Sequence, residues 1–308
     1  MHFPEKVNVI EVGPRDGLQN AETKLSKENK ANLINMCIEA GYKIIEIGSF
    51  VHPDAIPNLA DTEETFSLVE KRSNVEFRAL VTNKIGVERA IKAGVDKIKL
   101  TVSVSKSHNM NNFNRKPKDT LKSFEECKAL AKKHGLKVSG AISTAFGCPF
   151  EGHISINQVR NIIDQYLALN INELSRSDTA GMANPREVFN KCTAVLEDYP
   201  EVKWNLHLHN TWDMGFANVI AAMQAGIKNF DASFAGLGGC PYAPGATGNI
   251  CTEDLLQMLH QMNIETDVDL DKSIKVAKQV EKLLGNEVES YLLNAGKIEE
   301  IPEKFQME

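Results

Sequence analysis

The sequence predicts an α/β protein, folded as a (β/α)₈ TIM barrel with a C-terminal helical extension. Short runs rich in β-branched residues alternate with longer amphipathic runs, and this unit occurs eight times. Strands separated by helices imply a parallel sheet, and eight such units favour a closed barrel over an open, doubly wound sheet. The length agrees, because 308 residues hold a barrel of roughly 250 residues together with an extension.

The predicted elements follow one another with short connections. The strand-like runs are residues 7–12, 44–48, 75–81, 97–104, 136–144, 171–177, 202–209 and 228–234. The helical runs are residues 26–40, 61–72, 84–93, 117–134, 155–169, 184–198, 214–225 and 252–261. Glycines at positions 41, 94, 135 and 226 stand where a helix needs a left-handed residue after its last turn. A further helical run, 270–284, leads us to expect a barrel domain over 1–265 and a helical extension over 266–308 packed on it.

Composition excludes several classes of function. The formal net charge is -6 and there is no long basic run, which argues against a general nucleic-acid binder. No stretch approaches the roughly 18 apolar residues of a membrane span, and the N-terminal segment has no apolar signal core. We therefore expect a cytoplasmic protein with no membrane partner. The six cysteines lack CxxC pairing, so neither a zinc knuckle nor a disulfide framework is indicated.

Two histidines, His207 and His209, end the seventh predicted strand in the segment WNLHLHN. Residues two apart on a strand point to the same side, so both imidazoles can converge on one ion. Asp16 follows the first strand, beside Arg15. If the barrel brings these strand ends together, two nitrogens and one oxygen form a site for a divalent metal such as Mg²⁺ or Mn²⁺. The alternative for the two histidines is that they are packed in the core. The alternative for Arg15 and Asp16 is a surface ion pair in a turn.

The segment from Gly236 to Asn249 is rich in glycine and proline but has no phosphate-binding spacing. It is either a flexible connector or a loop that closes over a substrate and excludes water. Cys240, near its centre, is either a proton donor or acceptor or an inert small residue. Asn249, at its end, could supply an amide oxygen to the metal. Glu46, at the end of the second strand, is expected to orient Arg15 or a metal ligand.

Five segments together resemble the 3-hydroxy-3-methylglutaryl-CoA lyase family of the DRE-TIM metallolyase superfamily. They are GPRDGLQN (13–20), SFVHP (49–53), FGCPFEG (146–152), HLHN (207–210) and GLGGCPYAPGATGN (236–249). The resemblance runs from about residue 5 to residue 265. The long glycine loop with its embedded cysteine is the most specific element, whereas HxH and Arg-Asp alone indicate only the superfamily.

The resemblance implies an acyl-CoA substrate, cleaved to acetyl-CoA and acetoacetate. It also implies that Mg²⁺ or Mn²⁺ is bound by Asp16, His207, His209 and Asn249. Arg15 would stabilise the enolate oxygen that forms as the carbon–carbon bond breaks, and Cys240 would act in proton transfer. His207 stands where a metal ligand could also pass a proton to or from the substrate hydroxyl. Relatives with this barrel also make a homodimer plausible.

Three departures from the family pattern concern the substrate, and one of them is Lys106, which replaces an acid in the run 102–117 after the fourth strand. The sixth strand reads Ser-Arg-Ser-Asp-Thr over 175–179, where the family has Ser-Leu-Gly-Asp-Thr. Arg176 could bind a substrate carboxylate or point outward between strand and helix. Asn210 replaces the aspartate of HxHD, as in Claisen-type synthases. A related lyase or Claisen-type enzyme acting on another hydroxyacyl-CoA or 2-oxo acid therefore stays an alternative, and so does a non-catalytic barrel that binds CoA esters.

Overall fold

Eight parallel strands close into a barrel in the computed structural model, which describes residues 2–239 and 248–300. The strands are β1 (Asn8–Glu11), β2 (Ile44–Ser49), β3 (Glu76–Val81), β4 (Lys97–Ser103), β5 (Lys137–Ser143), β6 (Glu173–Asp178), β7 (Lys203–Leu208) and β8 (Asn229–Ala232). Neighbours in sequence are neighbours in the sheet, and β8 pairs with β1 to close the ring. The predicted (β/α)₈ barrel is confirmed.

Helices surround the barrel. They are α1 (Lys27–Ala40), α2 (Thr62–Ser67), α3 (Lys84–Ala93), α4 (Lys106–Phe113), α5 (Pro117–Lys133), α6 (Ile156–Ala168), α7 (Pro185–Asp198), α8 (Gly215–Ala225), α9 (Thr252–Gln261), α10 (Leu270–Leu284) and α11 (Tyr291–Ala295). The glycines that follow α1, α3 and α8 have positive φ, as the helix ends require. None of the helices in the described part of the chain has the length and apolar content needed to cross a membrane.

The alternation of side chains along β4 shows how the interior differs from the outside of the sheet. Ile98, Leu100 and Val102 are fully buried in the apolar layer between sheet and helices. Lys99 and Thr101 point the other way and line the barrel cavity. The hydrophobic core therefore lies outside the sheet, and the barrel interior is free to carry polar groups.

Among the differences from the predicted elements, three concern a helix or a hairpin. Helix α4 is additional, and it begins at Ser105, whose hydroxyl accepts a hydrogen bond from the backbone of His108. A two-stranded hairpin, Gly147–Cys148 with Gly152–His153, follows β5. The predicted helix 61–72 is only Thr62–Ser67, because the chain then turns and buries Val69 in the core.

The predicted helix 270–284 is present as α10. Tyr42, which follows α1, and Ser273 of α10 share a buried hydrogen bond of 2.6 Å between their hydroxyls. The backbone NH of Asp269 donates to the carbonyl of Ala40 at 2.8 Å. These contacts fasten the extension to the first helix. The boundary between residues 265 and 266 stays a prediction.

Candidate active site

A cavity of about 740 Å³ opens at the carboxyl ends of the strands. Its wall includes Arg15 and Asp16 after β1, His207 and His209 of the β7 end, and serines of β5 and β6. This is the rim at which barrel enzymes keep their chemistry. The structure therefore brings together, across the mouth of the barrel, residues that lie almost two hundred positions apart in the sequence.

Asp16, His207 and His209 form a compact cluster of potential metal ligands. The two Nε2 atoms of the histidines are 3.1 Å apart, and Asp16 Oδ2 lies 3.7 Å and 3.8 Å from them. Atoms held about 2.1 Å from one ion stand roughly 3 to 3.6 Å apart, so the two histidine nitrogens already have that spacing and Asp16 Oδ2 would move slightly inward to share an ion with them. The donor set of two imidazoles and a carboxylate suits a divalent metal ion.

The charges around the cluster also favour a cation. Asp16, Glu46 and Asp231 are carboxylates, whereas Arg15 and Lys99 are the cations among the described residues that contact them. Among these five side chains the carboxylates exceed the cations by one, in a buried site. Burial opposes ionisation of Asp16, but the Arg15 guanidinium outweighs it and holds the pKa of that carboxyl well below its usual range.

The surroundings of the two histidines bear on what each ring can offer to the cluster. His207 Nδ1 lies 3.2 Å from Asp231 Oδ2, and because a carboxylate only accepts, the imidazole donates there and keeps Nε2 as the acceptor. Burial, and then the neighbouring His207, lower the pKa of His209 to about 3, so this ring is neutral. Because Nδ1 of His207 faces Asp231, Nε2 is the ring nitrogen that faces the cluster. That atom can bind a metal ion or a proton, but not both at once.

Asn249 completes the cluster from the end of the glycine loop. Its Nδ2 donates to Asp16 Oδ2 at 2.8 Å and to the Leu237 carbonyl at 2.9 Å. Its Oδ1 is buried and has no hydrogen-bond partner among the described residues, so an amide oxygen is available beside the cluster. Gly248 has φ +113°, and a Cβ there would lie 1.8 Å from the Gly238 carbonyl oxygen, so only glycine lets the two ends of the loop meet. Cys240 lies outside the described residues.

Arg15 lies on a single turn of π-type helix, Gly13–Gly17. Pro14, at the start of this turn, has a fixed φ that suits a helical backbone. Arg15 Nη1 contacts Asp16 Oδ1, and Arg15 Nε contacts Glu46 Oε1. Glu46 is fully buried and lies behind the arginine, outside the cavity wall. Burial opposes its ionisation, but Arg15 and Lys99 hold the pKa of Glu46 below its usual value. Glu46 thus contacts Arg15, and its expected role in orienting the arginine stays a prediction.

Three residues of the site were missed by sequence reasoning: Lys99, Asn205 and Asp231. Lys99 contacts Glu46 and Asp231, and Asn205 Nδ2 donates to Asp231 Oδ1 at 2.6 Å. The signal was present in the sequence, because each is a polar residue at an inward position of a predicted barrel strand. A polar side chain at such a position needs a polar partner across the barrel. The strand pattern alone does not identify that partner.

Two of the departures from the family pattern, Arg176 and Asn210, lie outside the cavity. Arg176 points outward from β6 and is fully buried between Phe146 and Trp204, and its guanidinium donates to the Lys191 carbonyl at 3.0 Å. Asn210 Oδ1 accepts from the backbone NH of Gly215 at 2.9 Å, at the start of α8. The reading of Arg176 as a ligand for a substrate carboxylate is therefore wrong, because inward and outward positions alternate on the strand.

Glu11 connects the turn that carries Arg15 to the base of the glycine loop. Its Oε1 accepts from the backbone NH groups of Gly13 at 2.7 Å and Phe234 at 3.0 Å, and Thr252 donates to its Oε2 at 3.0 Å. Burial raises the pKa of Glu11 to about 8, and the nearby Glu253 adds to the effect. The folded protein therefore binds this proton more tightly than the unfolded chain does.

The Glu11→Gln variant should gain stability over the wild type as the pH rises. The folded pKa, about 8, exceeds the ordinary value of 4.5, so ionisation of Glu11 opposes folding progressively between those two pH values. Glutamine keeps an acceptor for both backbone NH groups and cannot ionise. Melting temperatures from about pH 5 to pH 8 would show a difference between variant and wild type that grows with pH. Parallel curves for variant and wild type would contradict this account.

The closed barrel and the polar cavity at its carboxyl rim, with a potential metal cluster inside, define a barrel enzyme. Residues 6–280 match the family model described as HMGL-like. The chain belongs to the HMGL-like family.

Similar proteins cover nearly the whole chain. Hydroxymethylglutaryl-CoA lyase YngG of Bacillus subtilis is 40% identical over 94% of this chain and 97% of its own length. The (R)-citramalyl-CoA lyase of Chloroflexus aurantiacus is 37% identical over 96% of each. A solved HMG-CoA lyase from Acinetobacter baumannii, in complex with coenzyme A and 3-methylmalate, superposes with a TM-score of 0.92 at 40% identity and covers 97% of both chains. The protein is accordingly a carbon–carbon lyase.

Proposed function

We propose that this protein is a divalent-metal-dependent lyase that cleaves 3-hydroxy-3-methylglutaryl-CoA to acetyl-CoA and acetoacetate. The observation that carries the proposal is the contact between Arg15 and the Asp16, His207 and His209 cluster inside one cavity. Cleavage creates charge at two oxygens of one acyl chain, the hydroxyl oxygen and the thioester oxygen. A cation site and a guanidinium side by side match this pair of oxygens.

The cleavage requires a base for the hydroxyl proton, a cation beside the hydroxyl oxygen and a positive group beside the thioester oxygen. A base takes the proton of the 3-hydroxyl, the bond between C2 and C3 breaks, and C3 becomes the ketone of acetoacetate. The electron pair moves onto the thioester as an enolate, and protonation of C2 gives acetyl-CoA. Mg²⁺ or Mn²⁺, held by Asp16, His207, His209 and the Asn249 amide, would supply positive charge to polarise the hydroxyl oxygen.

The side chains of this protein have distinct roles in the proposal. Arg15, fixed by Glu46, stabilises the enolate oxygen. Asp231 keeps His207 in the tautomer that offers Nε2 to the cluster. Cys240, which belongs to the glycine loop, would act in proton transfer. Residence in the cytosol and assembly as a homodimer stay predictions.

A panel of acyl-CoA thioesters tests the substrate directly. The purified protein with Mg²⁺ or Mn²⁺ should release acetoacetate from 3-hydroxy-3-methylglutaryl-CoA, and EDTA should abolish the release because the polarising cation is removed. The panel should include (R)-citramalyl-CoA, the substrate in the name of one relative. Cleavage of that thioester alone would keep the lyase class and overturn the substrate. Binding of CoA esters without cleavage of any of them would favour the non-catalytic barrel.

A further inference from the structure

Lys99 occupies a central place between two carboxylates on the floor of the cavity. Its ammonium contacts Glu46 Oε2 and lies 3.4 Å from Asp231 Oδ2. Lys99 and both carboxylates are at most 2% exposed. An ion group this deeply buried is stable only while every charge has its partner, so the position of each member depends on the others.

Each carboxylate also holds one functional side chain. Glu46 uses its other oxygen, Oε1, to contact Arg15 Nε. Asp231 contacts His207 Nδ1 at 3.2 Å through the same Oδ2 that faces Lys99. The Lys99 ammonium therefore lies between Glu46, which contacts the Arg15 guanidinium, and Asp231, which contacts the His207 imidazole. No other cation among the residues described contacts both carboxylates.

We infer that Lys99 is a positioning residue, which keeps Arg15 and His207 apart and correctly aimed by satisfying Glu46 and Asp231 at once. Without its ammonium, the two buried carboxylates would be left with too little positive charge, and Arg15 is the nearest cation able to supply it. The guanidinium would then be drawn toward Asp231 and away from the position in which it stabilises the proposed enolate oxygen. The inference deepens the proposed function and, for its effect on catalysis, rests on it.

A second buried lysine on the same strand provides a matched control. Lys97 contacts Glu173 Oε2 at 2.7 Å and Glu76 Oε1 at 3.0 Å at the opposite end of the barrel. Glu76 in turn accepts from Arg78 Nε at 2.6 Å. Lys97 and Lys99 are thus alike in burial and in ion pairing, and each has its own arginine neighbour. Only Lys99 lines the cavity.

NMR of the full chain labelled with ¹⁵N-arginine reads the position of Arg15 without any turnover. The Nε–H signal of Arg15, identified by its loss in Arg15→Lys, should shift in Lys99→Met, and its hydrogen exchange should become roughly tenfold faster. Lys97→Met should leave that signal in place and move the Arg78 signal. The result should be the same with Mg²⁺ and after chelation. An unchanged Arg15 signal in Lys99→Met, or an equal change in Lys97→Met, would overturn the inference.

Kinetics give the second readout, on whichever acyl-CoA the wild type cleaves. Lys99→Met should lower kcat roughly ten- to a hundredfold, the usual size for loss of a supporting group, while KM changes little. Lys97→Met should keep kcat. If Lys99→Met does not fold, Lys99→Gln carries the same expectations. A wild type that cleaves no acyl-CoA would refute the proposed function alone, because the NMR result still decides the role of Lys99.

Discussion

Replacement of Arg15 by glutamine is expected to lower kcat about a thousandfold and to leave KM for the acyl-CoA nearly unchanged. The guanidinium contacts Asp16 and Glu46 inside the cavity, and its charge matches an oxygen that becomes negative only as the carbon–carbon bond breaks. An interaction made only in the transition state acts on kcat and not on binding. Steady-state kinetics of wild type and variant with saturating metal measure both parameters.

Arg176→Leu is the matched control for that experiment. This arginine is also buried, but it packs between Phe146 and Trp204 outside the barrel interior. Its loss should leave kcat and KM near the wild-type values. If Arg15→Gln raised KM alone, the assignment of Arg15 to the transition state would be refuted. If Arg176→Leu improved activity, the arginine would tune specificity in spite of its position.

Replacement of His209 by alanine is expected to weaken Mn²⁺ binding by roughly a hundredfold or more, which exceeds the usual cost of losing only a supporting group. The variant loses one of the three clustered ligand atoms and leaves His207 and Asp16 with no third partner of this kind. Titration of the metal-free protein with Mn²⁺, followed by the paramagnetic resonance of the free ion, measures the affinity without reference to turnover. Activity should fall in parallel and recover in part with excess metal.

His134→Ala is the control, since this histidine is exposed at the end of α5, remote from the cavity wall. It should bind Mn²⁺ like the wild type. The metal interpretation of the histidine pair would fail if His209→Ala bound Mn²⁺ unchanged. The rings would then be packed histidines, which was the alternative from the sequence.

Much of the architecture could be predicted because it depends on local patterns. Runs with β-branched residues, the helical periods between them and the glycines after α1, α3 and α8 each act over a few residues. Helix 270–284 was predicted with the bounds that the structure has. Helix α4 was missed, because its polar, asparagine-rich sequence has no apolar stripe and depends on the Ser105 cap.

The candidate site was predictable only where a motif carried it. Asp16, His207, His209 and Asn249 stand together as the sequence led us to expect. Lys99 and Asp231 had no motif. Their importance comes from a contact across the barrel between β4 and β8, strands that are not neighbours in the sheet.

The sequence by itself determined the eight strand–helix units, the rim on which polar side chains collect and the class of chemistry they can perform. Only the tertiary structure decided that Arg176 and Asn210 lie outside the cavity and that Lys99 lies between Glu46 and Asp231. The physical reason is the range of the forces involved. Helix and strand periods are set within a few residues, whereas the partner of a buried charge is set by which strands the closed barrel places opposite each other.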